Sequence, residues 1–261
     1  MGVLNITPDS FSDGGRLFVD GRPDLQTIHA AAAAMVEAGA AIIDVGGEST
    51  RPGAEPVPEA DELARVLPVL EALDGLEAVI SVDTSKPAVA AAAVDAGCGL
   101  INDVTGLADP AMLDVLANSS AAVCIMHMQG EPRTMQNAPE YDDVLIDVGA
   151  QLAERVQRAR DAGIADNRLC IDPGFGFGKT LEHNLALLAG LETLRIRQLP
   201  LLVGLSRKRM IGALTGAPVE ERMAGSIAAA VLAAERGADI LRVHDVRETV
   251  QALKILEGLR G

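Results

Sequence analysis

The chain has 261 residues, an ordinary length for one closed α/β barrel, and 49% of them are hydrophobic, enough to fill a large core. A formal net charge of −15 excludes a general nucleic-acid binder, because phosphate backbones demand clustered Lys and Arg. With no Trp and only 2% aromatic residues, platforms for stacking single strands are excluded too.

In chain order, short β-branched runs alternate with Ala/Leu-rich stretches of helical period. Strands are predicted near 2–5, 41–45, 78–82, 99–102, 121–126, 168–171, 200–204 and 239–243. Helices are predicted over 25–37, 59–73, 88–96, 144–162 and 226–236. Such alternation means parallel strands joined by crossover helices. Several helices close on an Ala-Gly or Arg-Gly step, at Gly39, Gly97, Gly163 and Gly237, where glycine stops a helix cheaply. Eight units point to a single (β/α)8 TIM barrel, and no linker or composition break divides residues 1–261 into more than one domain.

Cys98, Cys124 and Cys170 are odd in number and lack zinc spacing, so they read as buried residues in a reducing compartment. No apolar run is long enough to span a membrane, and the N-terminus has no basic region followed by an apolar stretch. The expected location is cytoplasmic.

The residues that end the strands form the candidate site. They are Asn5; Asp44 followed by Gly46-Gly47-Glu48; Asp83; Asn102-Asp103; Met126-His127; Asp172; Ser206-Arg207-Lys208; and Arg242 with His244. Polar residues often end strands because turns need them. Lys208, Arg242 and His244 are not turn formers, and barrel enzymes place their sites on the carboxyl face. Three long loops rich in Gly and Pro, at 7–15, 46–54 and 172–180, read as lids or ligand cradles. Phe11, Phe18, Phe175 and Phe177 all lie in Gly-rich loop sequence, which suggests flat apolar surfaces for a flat ligand. Gly178-Lys179-Thr180 is not a P-loop, because the glycine required five positions earlier is Pro173.

Eight stretches together resemble the dihydropteroate synthase family of the pterin-binding barrel superfamily. They are MGVLNITPDSFSDGG at the start, IIDVGGESTRPGA at 42–54, SVDTSKP at 81–87, INDVTG at 101–106, MHMQGEPRTMQ at 126–136, IDPGFGFGK at 171–179, GLSRKRM at 204–210 and LRVHDV at 241–246. The resemblance implies an aryl transferase of folate biosynthesis and a sulfonamide target. Such an enzyme condenses 6-hydroxymethyl-7,8-dihydropterin diphosphate with p-aminobenzoate and releases 7,8-dihydropteroate and diphosphate. It implies Mg²⁺ as cofactor, with Asn5 as its protein ligand, and a homodimer formed through helices away from the mouth. No nucleic-acid or membrane partner is implied.

By the same resemblance, Asp83, Asn102, Asp172 and Lys208 read the pterin, whose 2-amino-4-oxo edge suits a buried carboxylate. Asn5, Thr50, Arg51, Arg242 and His244 handle the diphosphate. Phe11, Ser49, Thr50, Pro52, Phe177 and Ser206 line the aminobenzoate pocket. Asp13, Lys208, Arg242 and His244 act in the chemistry, with Asp13 near the developing cation. Arg209 departs from the pattern, standing where many members carry a small hydroxyl residue. His127 reads equally as a base or as a residue that orients the fifth loop. A methyltetrahydrofolate methyltransferase of the same superfamily would need no diphosphate site, and a non-catalytic pterin-binding paralogue would have lost loop residues. The intact 7–15 loop and the Arg242–His244 pair stand against both.

Overall fold

A computed structural model describes residues 1–7, 17–19, 22–50, 53–130 and 134–260. Phe11, Asp13, Arg51 and Pro52 lie outside the described residues.

Eight parallel strands line up in chain order: β1 (Gly2–Asn5), β2 (Ile42–Gly46), β3 (Val79–Asp83), β4 (Leu100–Asp103), β5 (Ala122–Met126), β6 (Leu169–Asp172), β7 (Leu202–Val203) and β8 (Ile240–Leu241). The first six form one sheet and the last two pair with each other. Parallel bridges Ile171–Leu201 and Gly2–Val243 join the two sets at both ends, so the strands close into a barrel. Backbone bonds Val3 N–Val243 O (3.0 Å) and Ile171 N–Pro200 O (3.0 Å) hold the seams. Every predicted strand is present to within a residue or two. A small antiparallel hairpin at 18–19 and 22–23, absent from the sequence reading, precedes the first helix.

The helices are α1 (Leu25–Glu37), α2 (Glu59–Ala72), α3 (Pro87–Asp95), α4 (Pro110–Ala117), α5 (Val144–Asp161), α6 (Leu181–Ala189), α7 (Arg209–Thr215), α8 (Met223–Glu235) and α9 (Val246–Arg260). Their starts follow local chemistry. Asp24 caps α1 by accepting from Thr27 N, and Asp143 caps α5 by accepting from Leu145 N and Ile146 N. Pro87 and Pro110 sit where a helix needs no N–H donor. Gly39 and Gly163 follow α1 and α5 with φ of 104° and 91°, as the sequence pattern requires.

Period-2 alternation sorts each strand into two faces. Val45, Val82, Ile101, Val123, Ile125, Ile171 and Val203 belong to the large core cluster shared with the helices. Leu100, Cys124, Cys170 and Leu202 form a separate buried cluster. Asn102 and Asp172 stand two residues beyond Leu100 and Cys170, so they share that second face, one layer nearer the carboxyl end. The register Asn5–Gly46, Gly46–Asp83 and Asp83–Asn102 sets these residues on one rung. No side chain stands at Gly46, between Asn5 and Asp83.

Candidate active site

The ring is built from the strand ends inward. Asp44 and Asp83 are buried, and Arg242 bridges them: Nε donates to Asp44 Oδ2 (2.6 Å) and a terminal nitrogen to Asp83 Oδ2 (2.9 Å). Asp44 also accepts from Ser81 Oγ (2.5 Å) and from Asn102 Nδ2 (3.2 Å). From sequence Asp44 is a strand-end residue without an assigned role. Its place two residues before Gly46, on the inner face of β2, was the available signal. Burial works against the Arg242 charge, yet Asp44 and Asp83 more than offset it and hold its pKa above the ordinary value. Arg242, expected among the anion-handling residues, is tied to the carboxylates Asp44 and Asp83.

Two acceptors in this network are left over. Asp83 Oδ1 and Asn102 Oδ1 are buried without a hydrogen-bond partner. An unpaired buried acceptor is costly, and native proteins keep few of them. Burial pushes the Asp83 pKa up to about 7, with Arg242 opposing and Asp44 adding to the rise.

Across the barrel, Asp172 accepts from Gly174 N (2.7 Å), and burial raises its pKa against the pull of Lys208. The Lys208 ammonium donates to the Phe175 carbonyl and lies 4.8 Å from the centre of the Phe177 ring. Burial lowers its pKa to about 8, with Asp172 opposing. Arg207, between Ser206 and Lys208, takes a φ of 57° and is held there by Asp245 (2.6 and 3.2 Å) and by Ser226. Such a backbone costs energy and persists only when its surroundings fix it.

The loop after β6 is a pinned cradle rather than a lid. Lys179 is buried, and its ammonium donates to the carbonyls of Gly174 and Phe177 (both 2.9 Å) and to His127 Nδ1 (2.9 Å). Gln136 and Tyr141 donate to Gly176 O and Gly178 O (2.5 and 2.8 Å), and Gly176 N donates to Asn184 Oδ1 (2.7 Å). Lys179, read from sequence only as a false P-loop lysine, is therefore the internal anchor of this loop. Burial, with Lys179 beside it, pushes the His127 pKa down to about 3. That favours the orienting role over the base. Phe175 is fully buried and belongs to the core cluster, while half-buried Phe18 packs against it. The expectation of four ligand-facing Phe rings is corrected for Phe18. Phe175 and Phe177 both line the cavity.

That cavity has a volume of about 1000 Å³. Asn5, Ser49, Thr50, Phe177, Ser206, Lys208, Arg242 and His244 all line it. So do Lys179, Arg207, Arg209 and Arg222, against two acidic residues, Glu48 and Glu220. This is the basic exception that an acidic chain needs to bind an anion. Asp83, Asn102 and Asp172 are buried at the strand ends and do not themselves line it. Ser206 and His244, placed in separate subsites from sequence, form one unit. Ser206 Oγ lies 3.0 Å from His244 Nδ1 and accepts from His244 N (3.3 Å).

The fold and site are those of a parallel α/β barrel with buried carboxylates at its strand ends and a cavity lined mainly by basic side chains. A family model described as pterin binding enzyme matches residues 1–244. A dihydropteroate synthase of Escherichia coli (strain K12) is 52% identical over 259 residues, covering 99% of this chain and 90% of the relative. The Yersinia pestis dihydropteroate synthase with a sulfonamide drug complex superposes with a TM-score of 0.94 at 50% identity, covering 100% of this chain and 93% of that one. The Burkholderia cenocepacia dihydropteroate synthase complexed with 7,8-dihydropteroate gives 0.89 at 47%, covering 100% and 90%. The chain belongs to the pterin-binding enzyme family, among the dihydropteroate synthases.

Proposed function

We propose that this chain condenses 6-hydroxymethyl-7,8-dihydropterin diphosphate with p-aminobenzoate, releasing 7,8-dihydropteroate and diphosphate. The observation that carries the reading is the pair of unpartnered buried acceptors, Asp83 Oδ1 and Asn102 Oδ1, on one rung of the barrel. A pterin edge presents N–H donors to such a pair, and Asp172 and Lys208 face it from the other side. The bound product of the Burkholderia relative contains both substrate halves.

In the reaction, the bond between the pterin methylene carbon and the diphosphate oxygen breaks. The electron pair leaves with the diphosphate, and the dihydropterin ring delocalises the resulting cation. The aryl amine then attacks the methylene carbon and loses a proton. No covalent enzyme intermediate is required, so the Ser206–His244 pair serves to orient the His244 ring. Preorganised cations around the mouth stabilise the departing charge, in a site where they need not reorganise. Thr50 and His244 line this part of the cavity, Arg51 completes the diphosphate assignment from sequence, and Asp13 is assigned to the developing cation. Phe177, Ser49 and Ser206 form the aminobenzoate side, with Phe11 and Pro52.

Magnesium fits the residues present. Asn5 lines the cavity, and its side-chain oxygen is one hard ligand. Mg²⁺ takes few protein ligands beside phosphate oxygens and water. Among the described residues no group of three or more His, Cys, Asp or Glu side chains forms a metal cage. When bound at Asn5, the ion would neutralise diphosphate charge. No described helix is long and apolar enough to cross a membrane. Exposed Leu214, Leu232, Ile255 and Leu259 on α7, α8 and α9 support a homodimer formed away from the mouth.

The deciding measurement is diphosphate release from the dihydropterin substrate with and without p-aminobenzoate and Mg²⁺. Release should require Mg²⁺ and should either require p-aminobenzoate or leave a trapped pterin product, and a sulfonamide should compete with p-aminobenzoate. A protein that binds pterin but never releases diphosphate would overturn the reading.

Dihydropterin affinity should also depend on pH. The pterin donors need Asp83 as a carboxylate, and its pKa stands at about 7. Affinity should be level above that value and fall about tenfold per pH unit below it, the slope of one coupled proton. Calorimetric titrations across this range check it; a flat profile down to pH of about 5 would count against Asp83 as the acceptor.

A further inference from the structure

The loop from Gly47 to Val57 carries Ser49 and Thr50 into the cavity, and its base is fastened at four points. Arg65 of α2 donates to Gly47 O (2.8 Å). A side chain at Gly47 has no room, because its Cβ would stand 2.7 Å from Val66 Cγ2 and 2.9 Å from Glu62 Cγ. Glu48 Oε1 accepts from Val57 N (2.7 Å), so one carboxylate ties the outgoing stem of the loop to the returning one. The other Glu48 oxygen meets the Lys86 ammonium at 2.6 Å, and the same ammonium meets Glu62 Oε2 at 2.5 Å.

Lys86 does not line the cavity. It stands in the turn between β3 and α3, three residues beyond Asp83. Its ammonium is the common partner of a loop carboxylate and of a fully buried carboxylate on α2. Glu62 Oε1 has no partner, so Lys86 is the counter-charge that keeps this carboxylate inside the protein. A buried ion held in this way is expensive to form and strongly destabilising to break. As loop packing alone, the arrangement is unexpected: an apolar contact would hold a stem more cheaply. What the ion pair adds is a fixed direction. Glu48 has both oxygens committed, so the chain must leave it toward Ser49 in one orientation.

We propose that Lys86 is a positioning residue for the aryl-amine half of the reaction. It acts through Glu48 to hold Ser49 and Thr50 at the mouth, and it takes no part in holding the pterin. The inference rests on the dihydropteroate synthase reading given above. It separates the two substrates: pterin contacts come from β3, β4, β6 and the Lys208 turn, whereas the Lys86 clamp reaches only the loop.

The test uses the full chain, Lys86→Met and Lys86→Arg, with p-aminobenzoate and the dihydropterin diphosphate as substrates. Lys86→Met should raise the KM for p-aminobenzoate about tenfold, the scale of a small misplacement of a binding group. The Kd for 6-hydroxymethyl-7,8-dihydropterin, which lacks the diphosphate assigned to Thr50 and Arg51, should stay within about twofold, and amide exchange should speed up over residues 47–50 and 53–57 but not at β3 or β4. Lys86→Arg, which can meet both carboxylates, should restore most of the loss. If Lys86→Met does not fold, Glu48→Gln carries the test: it breaks the link to Lys86, keeps an acceptor for Val57 N and leaves the Lys86–Glu62 pair intact. It should show the same split in KM and exchange. An unchanged p-aminobenzoate KM in a folded variant, or an equal loss of pterin affinity, overturns the proposal. If the unaltered protein releases no diphosphate at all, the underlying functional reading fails instead, and the exchange comparison still decides whether Lys86 fixes the loop.

Discussion

Asp83→Asn should weaken dihydropterin binding by about 100-fold or more while leaving the unliganded protein at least as stable at pH of about 8. Asp83 Oδ1 is buried without a partner and Oδ2 is taken by Arg242. An asparagine side chain keeps one acceptor for the guanidinium. Its amide nitrogen then occupies the other position and sets a donor against the pterin donors. Bonds to a charged acceptor contribute about 1.5–3 kcal/mol each, and every 1.4 kcal/mol is about tenfold in affinity, so losing one or two of them gives the stated loss.

The stability half of this expectation follows from the sign of the pKa shift. Burial raises the Asp83 pKa from its ordinary value to about 7. Between those two values the folded state binds the proton more tightly than the unfolded state does. The contribution of this carboxyl to stability is therefore full below the unfolded pKa and is lost as pH rises toward 7. Asparagine does not ionise, so the variant avoids that loss above neutrality. Thermal melts at acid and mildly alkaline pH, beside calorimetry with the pterin, check both halves. A variant that binds pterin within about threefold of the unaltered protein would remove Asp83 from the site.

The outline of the barrel was legible because two periodicities repeat along the chain with little noise. The run 41–45 announces β2, and the Ala-Gly steps mark where α1 and α5 stop. The short hairpin at 18–19 and 22–23 was not legible, since two residues per strand carry no period. The floor of the site was visible in outline because β-strand register puts every strand end at one level. Asn5, Asp83 and Asn102 needed only the assumption of a parallel sheet. What sequence could not supply is which side chain answers which. Arg242 is separated from Asp44 by 198 positions and from Asp83 by 159, and no local pattern links them. Lys179 was hidden for a different reason. A lysine after three glycines looks like a phosphate ligand, and only the folded loop turns its ammonium inward onto carbonyls. Phe18 shows the reverse case: loop sequence suggested a ligand-facing ring, but the ring packs against the core cluster.

These long-range pairs carry the second large effect. Arg242→Ala should destabilise the protein by about 3–5 kcal/mol, the usual result of removing one partner of a buried ion pair. At about 2–4 °C per kcal/mol for a chain of this size, the melting temperature should fall by roughly 10 °C. The reason is what remains: Asp44 is fully buried, Asp83 nearly so, and each loses its cation while staying near the other. Their mutual repulsion then adds to the cost of burial. Without its cation Asp83 holds its proton more tightly still, so the difference from the unaltered protein should grow as pH rises above about 7 and level off below it. Arg242→Lys keeps the charge but cannot span two carboxylates with a rigid fork, and it should fall between the two. An Arg242 that served only the diphosphate would behave otherwise. Its removal would lower turnover and leave the melting temperature of the unliganded protein unchanged at every pH. The bridge from Asp44 to Asp83 predicts that stability and pterin affinity are lost together, and melts of the three proteins across pH distinguish the two cases.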